Sequence, residues 1–107
     1  RDVDIQLDCR FLPNPYWVEE LREKDGLNND VQDYVLKQKN STPFLKDISS
    51  LLRYLIPAYE NEGKSYLSVA FGCTGGKHRS VAIAEELARI LKNEDVHIST
   101  FHRDISR

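Results

Sequence analysis

The sequence predicts an α/β fold: a small, mostly parallel sheet of about three strands flanked by helices, with a glycine-rich anion-binding loop between a strand and a helix. Two observations carry that expectation. Short apolar runs bounded by turn residues alternate with longer stretches whose apolar residues recur at helical spacing. The run Tyr66-Leu67-Ser68-Val69-Ala70-Phe71 then leads through Gly72-Cys73-Thr74-Gly75-Gly76-Lys77-His78-Arg79-Ser80 directly into one of those stretches. In such a setting backbone N–H groups and a helix dipole converge on a bound anion.

Taken in order, Val3-Asp4-Ile5-Gln6-Leu7-Asp8-Cys9 alternates apolar and polar residues and reads as the first strand, closed off by Pro13-Asn14-Pro15. A loop with Tyr16 and Trp17 follows. Gly26-Leu27-Asn28-Asn29-Asp30 offers caps for a helix through Val31, Tyr34 and Val35 to about Lys39. Ser41 or Thr42, with Pro43 at the first helical position, starts a long helix whose Leu45, Ile48, Leu52, Leu55 and Tyr59 share a face. Pro57 should kink its last turns and Gly63 should stop it. A strand over residues 65–72, the glycine loop, a helix over 79–92 with Val81, Ala84, Leu87, Ala88 and Leu91 on one face, and a strand over 96–101 complete a β-α-β unit.

The 107 residues make one domain, spanning 1–107. With 15 Lys+Arg against 17 Asp+Glu the formal net charge is −2, which excludes nucleic-acid or membrane binding through a general basic surface. Any basic site must be local. Two cysteines without a CxxC pair, no signal-peptide core and no apolar run of membrane-spanning length indicate a cytoplasmic protein with free thiols, a Cys9–Cys73 disulfide being the alternative. The opening Arg1-Asp2-Val3 lacks an initiator Met and suggests an excised domain.

In mostly parallel sheets ligands bind at the carboxyl ends of the strands, which here carry Asp8-Cys9-Arg10, the glycine loop and His102-Arg103-Asp104. That places Arg10, Lys77, His78, Arg79, His102 and Arg103 on one rim, with Cys73, Thr74, Gly75, Gly76 and Ser80 forming the loop. Tyr16 is a candidate to stack on a sugar or base, while Trp17 reads as core packing under the loop. Cys73, Arg79 and Ser80 also fit the spacing of the cysteine phosphatases, whose thiolate attacks phosphorus while the arginine clamps its oxygens. Gly72 stands where that signature has histidine, and Asp8 and Asp104 are the rim carboxylates that could serve as general acid. The nucleotide P-loop fails because three residues, not four, separate Gly72 from Gly76 and His78 replaces the hydroxyl residue. The Rossmann glycine spacing fails too, and His102-Arg103-Asp104 lacks the rest of a kinase. No paired spacing supports a zinc site from Cys9, Cys73, His78 and His102, and none is expected.

Asp8-Cys9-Arg10-Phe11-Leu12-Pro13-Asn14-Pro15-Tyr16-Trp17, the loop from Gly72 to Ser80, Ser65-Tyr66-Leu67-Ser68-Val69 and His102-Arg103 together resemble the C-terminal domain of the RapZ/YvcJ family of bacterial nucleotide-binding and RNase adapter proteins. The resemblance covers essentially the whole chain. It implies an N-terminal P-loop ATPase/GTPase domain outside this chain, so ATP or GTP would bind there and no cofactor is expected here. For this domain it implies, in the enteric branch, recognition of small regulatory RNA and binding of glucosamine 6-phosphate, with Cys73, Thr74, Gly75, His78 and Arg79 matching the loop that holds the phosphate. Tyr16 stands where the enteric proteins have histidine, and Ser106-Arg107 is not followed by their basic tail, both of which favour a YvcJ-like branch. The expected partners are therefore a phosphorylated small molecule, RNA as the alternative, and protein partners or a second copy, without a membrane.

Overall fold

The computed structural model describes residues 3–92, 96–98 and 100–102. Strand β1 (Ile5–Asp8) leads through two short 3-10 turns to helix α1 (Asn29–Leu36), helix α2 (Ser41–Asn61), strand β2 (Val69–Gly72), a 3-10 turn over Thr74–Gly76 and helix α3 (Arg79–Leu91). The strands pair in parallel, Ile5 opposite Val69 through Asp8 opposite Gly72. Pairing is prepared just before the ladder, where the Asp4 and Ile5 amides both donate to Ser68 O and the Asp4 carboxylate accepts from Ser68 N at 2.8 Å. A salt bridge from Lys64 (3.1 Å) fixes the same carboxylate.

The helices begin and end for legible reasons. Asn28 caps α1, its side chain accepting from Asp30 N and Val31 N. Helix α2 starts at Ser41, so Pro43 occupies its third rather than its first position; no bond is lost, because the amides of a first turn lack intrahelical acceptors. It continues past Pro57 to Asn61. Gly63, at φ +83, then donates to Glu60 O while Lys64 N donates to Tyr59 O, the paired bonds of a Schellman stop.

The core gathers Cys9, Leu12, Leu21, Val31, Val35, Leu45, Ile48, Leu52, Ala82, Ile83, Leu87 and Leu91, with Ile5, Leu7, Val69, Phe71 and Cys73 packed against it from the sheet. Helix α3 packs on α1, α2 and β2 at once, so it buries Val81, Ala82 and Ile83 in succession where a single face was expected, and Ala84 and Ala88 are only half-buried. Residues 96–98 and 100–102 form no strand ladder, and Ser99 lies outside the described residues. Two strands are thus described in place of the expected three. The Thr100 and His102 side chains bond Glu85 of α3 (3.1 and 2.7 Å). Among the described residues no helix is long and apolar enough to cross a membrane.

Gly26, expected among the caps of α1, has a different use. Its amide donates to Lys77 O at 2.8 Å and its carbonyl accepts from Gln32 Nε2. A Cβ built there would lie 2.6 Å from His78 O, 2.6 Å from Val81 Cβ and 2.7 Å from Ala82 N. The chain before α1 therefore rests directly on the first turn of α3. Gly26→Ala should destabilise the fold by about 1–3 kcal/mol, as overpacking of a filled interior does, seen as a lower urea midpoint at unchanged slope.

Candidate functional site

Because β1 and β2 run parallel, both open their carboxyl ends on the same side. A cleft of ≈ 500 Å³ lies there, lined by Gln6, Leu7, Asp8, Arg10, Gly72, Cys73 and Thr74. Its far wall is the turn between β2 and α3, where Gly75 (φ +82) and Gly76 (φ +61) take left-handed backbone angles that side chains resist. That conformation lets Gly76 N donate back to Cys73 O (3.3 Å) and delivers the chain into α3 within a few residues.

Cys73 sits at the base of this turn. Ser80 N donates to its Sγ at 3.3 Å, and the Ser80 hydroxyl lies 3.3 Å from the same sulfur. Burial pushes the thiol up, but the Ser80 side-chain and backbone hydrogen bonds, the Arg79 charge and the Gly76 amide together hold it below the ordinary cysteine value. Cys9 behaves oppositely: it is fully buried, and burial above all, with the adjacent Cys73, pushes its thiol up to about 12. Both cysteines are free.

On the other wall Arg10 folds back on Asp8. Its Nε lies 3.0 and 2.9 Å from the two carboxylate oxygens, its Nη2 lies 2.7 Å from Oδ2, and its own amide also donates to Oδ1. The Arg10 side-chain and backbone hydrogen bonds hold the Asp8 carboxyl below its usual range. Both side chains are largely exposed, so the pair lies in high dielectric and is free to rearrange around a ligand.

Arg79 is a different kind of cation. Only 4% of it is exposed, and its Nη1 donates to Arg10 O (3.0 Å) and Leu12 O (2.9 Å), which joins the first residue of α3 to the chain leaving β1. Its Nε is buried and finds no partner among the described residues; the same holds for Nε2 of His78, which is 5% exposed.

The structure thus brings Arg10, Cys73 and Thr74 together on one cleft, with Gly75, Gly76, Lys77, His78, Arg79 and Ser80 forming the turn and the buried helix start behind it. It sets Tyr16 and His102 apart. Tyr16 projects from the 3-10 turn Pro15–Trp17, under the Arg22 guanidinium (5.1 Å) and edge-on to Trp17. Trp17, expected in the core, is 75% exposed, because Pro15 fills the buried position of that turn and the following residues point outward. His102 lines a second cleft with residues of α2 and α3 and bonds Glu85, so the rim expected to include it divides in two. Arg103 and Asp104 lie outside the described residues. The phosphatase pattern is met at Ser80 but not at Arg79, whose Nη1 is committed to two carbonyls, and Asp8, ionised against Arg10, holds no proton for a leaving group. Gly26 and Gln6 escaped sequence reasoning; Gly26 lies far from the loop in sequence, and Gln6 shows only an ordinary strand polarity.

The family model of the RapZ C-terminal domain matches residues 1–106. The chain belongs to that family. Among curated relatives it is 51% identical to a nucleotide-binding protein of Thermobifida fusca over 106 residues, covering 99% of this chain and 36% of the relative. It is 52% identical over 106 residues to one of Caldicellulosiruptor saccharolyticus, with 99% and 36% covered, and 51% identical over 108 residues to one of Corynebacterium efficiens, with 100% and 34% covered. The chain spans about a third of the length of the curated relatives it matches.

For this RapZ C-terminal domain the Cys73–Ser80 contact gives a direct check. The rate of iodoacetamide labelling of Cys73 against pH should inflect below that of an ordinary thiol. Because the folded value is depressed, the stabilisation tied to the thiolate is present above the ordinary value and lost as pH falls through the lowered one. Ser80→Ala should move the inflection upward; an unmoved inflection would mean that the hydrogen bonds do not set it.

Proposed function

We propose that this chain is the regulatory ligand-binding domain of a RapZ/YvcJ-like cytoplasmic nucleotide-binding protein, and that its strand-end cleft takes a phosphorylated small molecule of the amino-sugar phosphate class, such as glucosamine 6-phosphate. The observation that carries this is the cleft itself: Arg10 shares it with Cys73 and Thr74, where the chain enters a two-glycine turn that runs on to the amino-terminal end of a thirteen-residue helix, α3. The amides of such a turn and the helix dipole favour an anion, and Arg10 supplies a fork able to grip two phosphoryl oxygens once it leaves Asp8. Asp8, released in the same exchange, is an acceptor for hydroxyls or an ammonium group. The relatives' name, nucleotide-binding protein, fits an ATP- or GTP-binding part outside this chain, whose state the occupied cleft would bias through differential affinity.

Isothermal titration of glucosamine 6-phosphate, with inorganic phosphate as control, tests this on the wild-type chain and on Arg10→Ala. The sugar phosphate should bind better than phosphate, and Arg10→Ala should weaken it by about ten-fold, the loss of roughly one charge-assisted contact. No heat from either titrant sinks the reading.

A second reading, an RNA-adapter surface, rests on the exposed Tyr16–Trp17 pair with Arg22 over the Tyr16 ring, a platform on which an unpaired base can stack. RNA held this way and by phosphate contacts would show a gel shift that fades steeply with salt and falls further in Trp17→Ala. A shift indifferent to both would exclude it.

A further inference from the structure

We propose that Cys73 is a peroxide-reactive thiol that Cys9 resolves to an intrachain disulfide, which disturbs the strand-end cleft under oxidation. The two cysteines are each one residue beyond the last pair of the ladder, Asp8 opposite Gly72, and Cys9 N continues the pattern by donating to Gly72 O at 2.7 Å. Side chains alternate along a strand, so Ile5, Leu7 and Cys9 share a face, as do Val69, Phe71 and Cys73; every one of these six packs in or against the same core. The thiols therefore stand on the same side of neighbouring parallel strands. Such strands are roughly 4.7–4.9 Å apart, within the Cα separation of about 4.4–6.8 Å that disulfides use.

Their environments divide the labour. Cys73 is half-buried, opens on the cleft, accepts from Ser80 N and lies 3.3 Å from the Ser80 hydroxyl, and these contacts favour its thiolate. Cys9 is fully buried and stays protonated. The Arg79 charge acts on both sulfurs, and its Nε is buried without a partner among the described residues. The Cys73 thiolate attacks one oxygen of a hydroperoxide, forming an S–O bond as the O–O bond breaks and hydroxide or alkoxide leaves; sulfur is oxidised by two electrons and the peroxide is reduced. Cys9 then attacks the sulfenic sulfur, the S–S bond forms, the S–O bond breaks, and the hydroxyl leaves with the Cys9 proton as water. The product removes both the thiolate charge and the S–H donor from the Cys73–Ser80 contact, and so loosens the turn beside the cleft.

Hydrogen peroxide in slight excess, followed by intact-mass and peptide analysis of the 107-residue chain, tests this. The wild type should lose two hydrogens, yield one Cys9–Cys73 cross-linked peptide and return to its starting mass with dithiothreitol. Cys9→Ala should stop at a Cys73 sulfenic acid that dimedone traps, and Cys73→Ser should stay unmodified over the same interval. If Cys9→Ala does not fold, the wild type compared with itself in denaturant serves: cross-linking should be many-fold slower once unfolded. Addition of oxygens to Cys73 without a cross-link, or a folded rate no faster than the unfolded one, overturns the proposal. The effect on the cleft rests on the ligand reading above and is measured separately, as weaker sugar-phosphate binding by the oxidised chain. Absence of binding to the reduced chain would defeat that reading and leave the cross-link standing.

Discussion

The buried guanidinium of Arg79 is the contact on which the arrangement depends. Hydrogen-bonded to the carbonyls of Arg10 and Leu12, it holds the exit of β1 against the first residue of α3, so the two walls of the cleft keep a fixed relation. A cation so nearly removed from water is costly unless its donors are used. Charge-assisted bonds to the two carbonyls offset that cost. Gly26 reinforces the start of α3, since only a residue without Cβ lets the chain lie on its first turn.

Around that joint the site divides into a rigid and an adaptable half. Cys73, Ser80, His78 and Arg79 are buried or half-buried and tied into the helix start. Arg10, Asp8 and Thr74 are exposed, and the first two spend their charge on each other. A site with one preorganised wall and one mobile ion pair can admit an anion by exchanging partners within the pair, with little movement of the backbone.

Much of this was legible in the sequence where one residue type has one local use. Asn28 as a cap, Gly63 as a stop and the glycines before α3 follow from backbone chemistry that acts over a few residues. The family likewise shows in contiguous strings. What escaped depends on tertiary placement. Arg79 looks in sequence like an anion clamp, and its use of backbone carbonyls far back in the chain leaves no local trace. Trp17 after the Pro-Asn-Pro turn looks in sequence like core packing under a loop, yet the 3-10 turn gives the buried place to Pro15. His102 follows a strand-like run in sequence, which points it to the rim, and its contact with Glu85 of α3 leaves no local trace.

The pairing of β1 with β2 also has a kinetic meaning. Asp4 and Ser68, which open the ladder, are 64 residues apart, with α1 and α2 between them. Closing so long a loop costs on the order of 4 kcal/mol of chain entropy before any contact repays it, and such non-local pairing slows folding. During synthesis the first strand must wait, unpaired, until β2, about two thirds of the way along the domain, has left the ribosome. Helices α1 and α2 can form early, but the pocket comes into existence only once the two strands pair, so a chain that has not reached β2 offers a ligand nothing to hold.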